Sequence, residues 1–292
     1  MTLIHALQAL LVMALWGLNF VVSKWALHDF PPLFLMAVRF ALVSVLIVPF
    51  FRIPREKILP VALLSVTLGS IHFPLMFNGL NGIDAATASL AVQAQVPFSS
   101  LLAAVVFKDA LGWRRGVGMI AAFAGVLVIA GEPRLGNALQ SLAMLLAASL
   151  AFAVASIQMK LIGAVNGFAV NGWMALMAMP QLLILSLLFE TGQVEAVQNA
   201  SWLGWASIVY MAVAVTILAY GFWYPLLARY DVNQTMPYLL TVPVFGVAAG
   251  VLLMGDPVTI NLVIGGVLTI GGVAIIVKRR PRTVSETVTN PT

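Results

Sequence analysis

Cysteine is missing altogether from the 292 residues, which excludes disulfides, thiol chemistry and Cys-ligated metals. Charge is nearly as scarce. Asp, Glu, Lys and Arg make up 9% of the chain, whereas a soluble domain carries roughly a quarter. Fifteen basic and ten acidic side chains cannot wet a globule of this length, and 62% of the residues are hydrophobic. Lipid must therefore be the solvent for most of the surface. Acids are absent from one place in particular: all ten lie in loops, at the ends of apolar stretches or in the tail. Histidine occurs only at positions 5, 28 and 72. An intramembrane hydrolase or transferase needs paired acids, an HExxH-type metal site or a Ser–His arrangement, and none is present, so an enzyme is not expected. No repeated carbonyl or charge ring suggests a channel filter. The basic surplus would point to nucleic acid only if clustered on a solvated face, and here it is scattered between apolar stretches. Neither a metal nor a cofactor is expected.

The apolar stretches are punctuated by Pro, Gly and charge into ten spans: 3–27, 33–51, 58–80, 85–107, 116–130, 138–160, 172–189, 202–227, 234–254 and 262–277. Each approaches the ~20 residues that cross a 30 Å hydrocarbon core. The first stretch lacks a basic n-region and exceeds signal-peptide length, so it reads as the first helix. The reading is an all-α membrane protein of ten transmembrane helices, with a disordered tail over 281–292. Orientation follows from the basic residues. Twelve fall on the side of the N-terminus: Arg52, Arg55, Lys57, Lys108, Arg114, Arg115, Lys160, Arg229, Lys278, Arg279, Arg280 and Arg282. Three fall toward the other side: Arg134, Lys24 and Arg39. Both termini are expected in the cytoplasm.

The chain also repeats itself. Val96-Pro97-Phe98 matches Val242-Pro243-Val244, and Phe107-Lys108-Asp109 matches Met254-Gly255-Asp256. Gly118 and Gly125 match Gly265 and Gly272, with an offset of 146 residues at the prolines and 147 beyond them. Two units of five helices follow, residues 1–137 and 138–280. Five is odd, so the second copy enters the membrane upside down. Inverted repeats recur in secondary transporters, with the substrate site near the midplane between the halves. Duplication retained for packing alone is the other reading.

Three groups of residues resemble the ten-helix EamA-type branch of the drug/metabolite transporter superfamily over about residues 3–280. They are the run Leu15-Trp16-Gly17-Leu18-Asn19-Phe20, the pair Pro31-Pro32 followed by Arg39, and the two Pro…Asp blocks. Asp109 and Asp256 stand where this family often has Glu. The resemblance implies export of small metabolites across the bacterial inner membrane. Within the family the chain is most similar to amino-acid exporters, including those for aromatic amino acids. Other metabolites or drugs remain the alternative cargo.

Polar or aromatic stripes at helical spacing turn toward the bundle interior in lipid and mark the candidate cavity residues. Trp16 and Asn19 share a face of helix 1 with Ser23. Helix 3 carries His72 and Met76 with Ser65, Gly69 and Gly79, helix 4 carries Gln95, and helix 6 ends near Ser156 and Gln158. Tyr220, Trp223 and Tyr224 lie on helix 8, and Tyr238 lies on helix 9 beside Gln234 and Thr241. Aromatic rings with a polar tip suit a substrate that is part apolar and part polar. Interhelical bonding between the same side chains is the competing account. At the helix ends, Trp173, Trp202 and Trp205 read as an interfacial belt. Arg39 and Lys24 can attract a substrate carboxylate, snorkel to headgroups or pair with Asp29. Pro97 and Pro243 each release a carbonyl one turn upstream, at Gln93 and Leu239, marking symmetry-related hinges or static kinks. With no acid inside a helix, facilitated diffusion or exchange is favoured over carboxylate-coupled transport.

Overall fold

The computed structural model describes residues 1–108, 112–132, 138–230 and 232–277. The expected turn at Asp109, the loop cation Arg134, the basic cluster after Val277 and the 281–292 tail lie outside these residues.

Ten apolar helices follow one another: α1 Leu3–Asp29, α2 Pro32–Ile47, α3 Arg55–Asn81, α4 Ala85–Val106, α5 Trp113–Ala130, α6 Leu139–Ile162, α7 Gly167–Phe189, α8 Trp202–Leu226, α9 Pro237–Met254 and α10 Ile260–Val277. Nine have 18 or more residues. The exception, α2, has 16 residues, about 24 Å of helix. It starts at Pro32, where a missing N–H costs nothing in the first turn. A two-turn helix, Gln193–Asn199, links α7 to α8. The helices alternate in direction, and polar contacts collect at the two rims of the bundle. On the rim holding the N-terminus, His5 bonds Tyr230 Oη, Lys57 donates to Ile162 O, and Trp173 Nε1 donates to Phe51 O.

The opposite rim is held by carboxylates that accept from the starts of helices. Glu190, at the end of α7, accepts from the N–H groups of Leu33 and Phe34 in α2. Asp29, at the end of α1, accepts from Ser201 N and Oγ at the start of α8. Asp256, after α9, accepts from Ala86 N in α4. Glu132, after α5, accepts from Thr259 Oγ1 at the start of α10. Each bond satisfies or orients a helix N-terminus, where donors are orphaned and negative charge is favoured. Every one of these bonds joins the first five helices to the second five.

The tightest helix pair is α5 with α10. A Cβ on Gly118 would lie 2.7 Å from Gly272 O, and one on Gly272 would lie 2.5 Å from Gly118 O. Gly125 and Gly265 stand in the same reciprocal relation, at 2.5 and 2.6 Å. The repeat equates Gly118 with Gly265 and Gly125 with Gly272, so it maps one contact onto the other. That exchange is what a two-fold axis lying in the membrane plane requires. The halves are inverted copies, and the glycines let their backbones touch at the axis.

Symmetry also appears where α-helical geometry fails. α3 is π-helical over Ser65–His72, and α8 over Met211–Leu218, so the two segments start 146 positions apart. In α4 a 3-10 turn occupies Val92–Ala94, one turn before Pro97. In α9 the chain tightens at Leu240 and Thr241, whose N–H groups reach only to Pro237 O and Tyr238 O, one turn before Pro243. The proline explains both: it removes the donor that the upstream carbonyl needs. No single residue explains the π segments.

Candidate functional site

The π segment of α8 is where α1 and α2 converge. Trp16 Nε1 donates to Val215 O at 3.4 Å, and Ser23 Oγ lies 3.5 Å from Met211 Sδ. Asn19 falls between these two on the same face of α1. Its Oδ1 is buried without a hydrogen-bond partner. The Trp16 ring lies 5.3 Å from that of Tyr220 and 5.8 Å from that of Trp223. Tyr220 stacks on Tyr224 at 5.2 Å, and Asn171 Nδ2 donates to Tyr224 Oη at 3.0 Å. Tyr238 packs at the edge of this group with Trp16 and Trp223. Five of the expected cavity residues thus form one aromatic cluster between α1, α8 and α9. Gln234, expected on the same face as Tyr238, is exposed instead.

A second group lies between α3 and α6. His72 Nδ1 donates to Ala148 O at 2.8 Å, and its ring meets those of Phe73 and Phe152. Gln158 Nε2 donates to Thr67 Oγ1 at 3.0 Å, while its Oε1 is buried and unpartnered. Met76 is half-buried beside the core. Gln95 is half-buried just past the 3-10 turn of α4, and Pro97 and Pro243 are buried. Elsewhere on α3, Ser65 and Ser70 serve as interhelical ties, both bonded to Gln181 of α7.

Arg39 joins the two groups. Its guanidinium lies 5.5 Å from the Phe73 ring centroid and 3.5 Å from Thr216 Oγ1 in the α8 π segment. The side chain is 6% exposed. It neither snorkels nor pairs with Asp29, whose carboxylate is taken by Ser201 and His28. The geometric reason is the face on which it sits. α2 packs along α7, where Gly172 admits Ile47, and that contact turns Arg39 inward. Lys24 differs from expectation too. Its Nζ donates to Ile83 O at 2.7 Å and Leu80 O at 3.3 Å, where a cation suits the carbonyl end of α3. An arginine at mid-helix costs about 3 kcal/mol to place in a bilayer, so its position calls for a return.

Two clefts open at the rims. One of about 250 Å³, between α1 and α8 on the N-terminal rim, is lined by His5, Gln8, Phe222 and Arg229. The other, about 480 Å³, lies on the carboxylate rim against Asp29, Pro31, Asn81 and Glu195. Neither reaches Arg39 or His72, which are closed in at mid-membrane.

Ten spans, an inverted two-fold and a buried polar-aromatic cluster on the seam make up the architecture of a secondary carrier. The chain belongs to the EamA-like transporter family, whose pattern it matches twice, over residues 3–131 and 139–278. It is a transporter and not an enzyme. A probable amino-acid metabolite efflux pump of Salmonella typhimurium is 35% identical, covering 91% of this chain and 92% of that protein. Its Escherichia coli counterpart is 34% identical with the same coverage. A probable terminal-alkyne amino-acid exporter of Streptantibioticus cattleyicolor is 27% identical over 78% of this chain and 76% of its own. A crystal structure sharing 18% identity superposes with a TM-score of 0.64 over 93% of this chain and 95% of that one, showing a common fold.

Proposed function

We propose that this transporter exports amino acids, aromatic ones among them, from the cytoplasm by alternating access between two repeats, residues 1–137 and 138–280. The observation that carries the reading is the cluster on the seam. Rings of Trp16, Tyr220, Trp223 and Tyr224 offer apolar faces, and beside them Asn19 presents a buried amide oxygen. Rings and an amide oxygen together suit a side chain beside an ammonium. The relatives named as amino-acid efflux pumps and exporters support the same cargo.

Beneath the cleft at its surface, the carboxylate rim reads as the closed side. Every residue of α4 from Ala85 to Ala94 is buried, whereas from Gln95 to Val106 only Pro97 is. Closing the other end means bringing the second half of α4 toward α9 by bending at the 3-10 turn and at Thr241, so Pro97 and Pro243 act as hinges. His72 serves as a cavity wall. Substrate flux in liposomes tests the assignment. Saturable flux of at least one amino acid is expected, with Trp16→Ala and Tyr220→Ala lowering it about tenfold, or ~1.4 kcal/mol of ring contact. If no amino acid is moved, the cargo is wrong; if both variants match the wild type, the site is wrong.

The N-terminal rim carries Arg52, Arg55, Lys57, Arg114, Arg115, Lys160 and Arg229, and so belongs in the cytoplasm of a bacterial cell, with the membrane being the inner one. Since the chain has no cysteine, Arg55→Cys gives a single thiol. In intact cells it should resist a membrane-impermeant maleimide, and rapid labelling there would invert the topology.

A further inference from the structure

Arg39 is a buried cation that no carboxylate faces: the titratable groups in its electrostatic reach are Tyr220 and His72. The only ion pair among the described residues is His28–Asp29, at the rim. Asp29, Glu190 and Asp256 are occupied with helix starts at that same rim. A guanidinium has five N–H groups in a planar fork and stays protonated. Here one of them reaches Thr216 Oγ1 at the limiting distance of 3.5 Å, and Nε is buried with no partner. Phe73 covers one side at 5.5 Å. Buried charges are ordinarily paired, and a charge inside a bilayer marks a substrate path by default. The fork also touches the segment of α8 that Trp16 touches, one turn before Tyr220. An anion bound at Arg39 would therefore meet the aromatic cluster.

We propose that Arg39 receives the carboxylate of the transported substrate, so that the carrier selects amino acids with a free α-carboxylate. Planar two-point recognition is what a guanidinium supplies and a lysine does not. The inference rests on the amino-acid reading above, but it can be separated from it. The cargo's carboxylate would supply the anion that the fold itself does not place beside Arg39. An amino acid whose acid has been capped brings no such charge and leaves the guanidinium unanswered.

The test compares phenylalanine and leucine with their amides, in chloride-free buffer so that no halide substitutes. Ligand-induced thermal stabilisation in detergent and inhibition of counterflow in liposomes are read on wild type and Arg39→Gln. The acids should bind the wild type at least about tenfold more tightly than the amides, and Arg39→Gln should bring that ratio close to one. Arg39→Lys, which keeps the charge and loses the fork, should fall between. Equal binding of acid and amide by the wild type overturns the proposal, as does a ratio that survives in Arg39→Gln. If neither variant folds, the wild-type ratio decides alone. Acid-selective stabilisation without any flux would sink the amino-acid cargo while leaving the Arg39 site standing. Flux with no acid selectivity would do the reverse.

Discussion

Gly272→Leu should leave almost no monodisperse protein after extraction, while Gly271→Leu one position away should melt within a few degrees of wild type. The difference is geometric. A Cβ on Gly272 would fall on the backbone N of Ala122 and lie 2.5 Å from Gly118 O, atoms that no rotamer change can move. A Cβ on Gly271 meets nothing within 4 Å. Overpacking a core usually costs about 1–3 kcal/mol when flexible side chains give way. Here α5 and α10 must separate along their whole length, and they also carry the axis relating the two halves. Fluorescence-detected size exclusion and thermal unfolding of both variants check this. Equal behaviour would mean that the glycine contacts do not hold the halves together.

Asp256→Ala should open the carboxylate rim. Asp256 satisfies Ala86 N at the start of α4, and it also lies in the electrostatic reach of Lys24, which ties α1 to the end of α3. Losing a helix cap costs about 1–2 kcal/mol, which corresponds to about five- to thirtyfold in the open population. Ala88, fully buried two residues into the helix from Ala86, reports the opening. A single cysteine there, in a chain otherwise free of them, should react with an external impermeant maleimide about tenfold faster when Asp256 is replaced. An unchanged rate would show that this carboxylate does not latch the rim.

The architecture was readable because lipid makes it so. Span lengths, the basic rim and the paired glycines each obey a constraint that acts locally along the chain. Arg39 shows where that reading stops. Its depth within the span was legible, about two turns from Pro32, but its face was set by how α2 lies on α7, and contacts over a hundred residues apart leave no periodic trace. The rim acids failed to announce themselves for the same reason. Asp29 and Glu190 stand at span ends in the sequence, with Asp29 available to pair with Arg39 or Lys24, yet their partners, Ser201 and Leu33, are more than 150 positions away. The bends in α4 and α9 were visible through Pro97 and Pro243. The π segments were not, because Ser65–His72 and Met211–Leu218 share no breaker residue, only their place in the repeat.

The four carboxylate ties all cross the seam, and this has a kinetic meaning. Opening the carboxylate rim breaks bonds between the halves, so its cost falls on one step of the proposed transport cycle. A ligand that finds its competent state at fraction f sees its dissociation constant weakened by 1/f. In the orientation proposed above, external substrate is thus disfavoured in loading relative to the cytosolic pool. The latch itself supplies no driving force, as detailed balance demands. The latch makes the two faces unequal in apparent affinity, which resists re-uptake at the low concentrations found outside a cell.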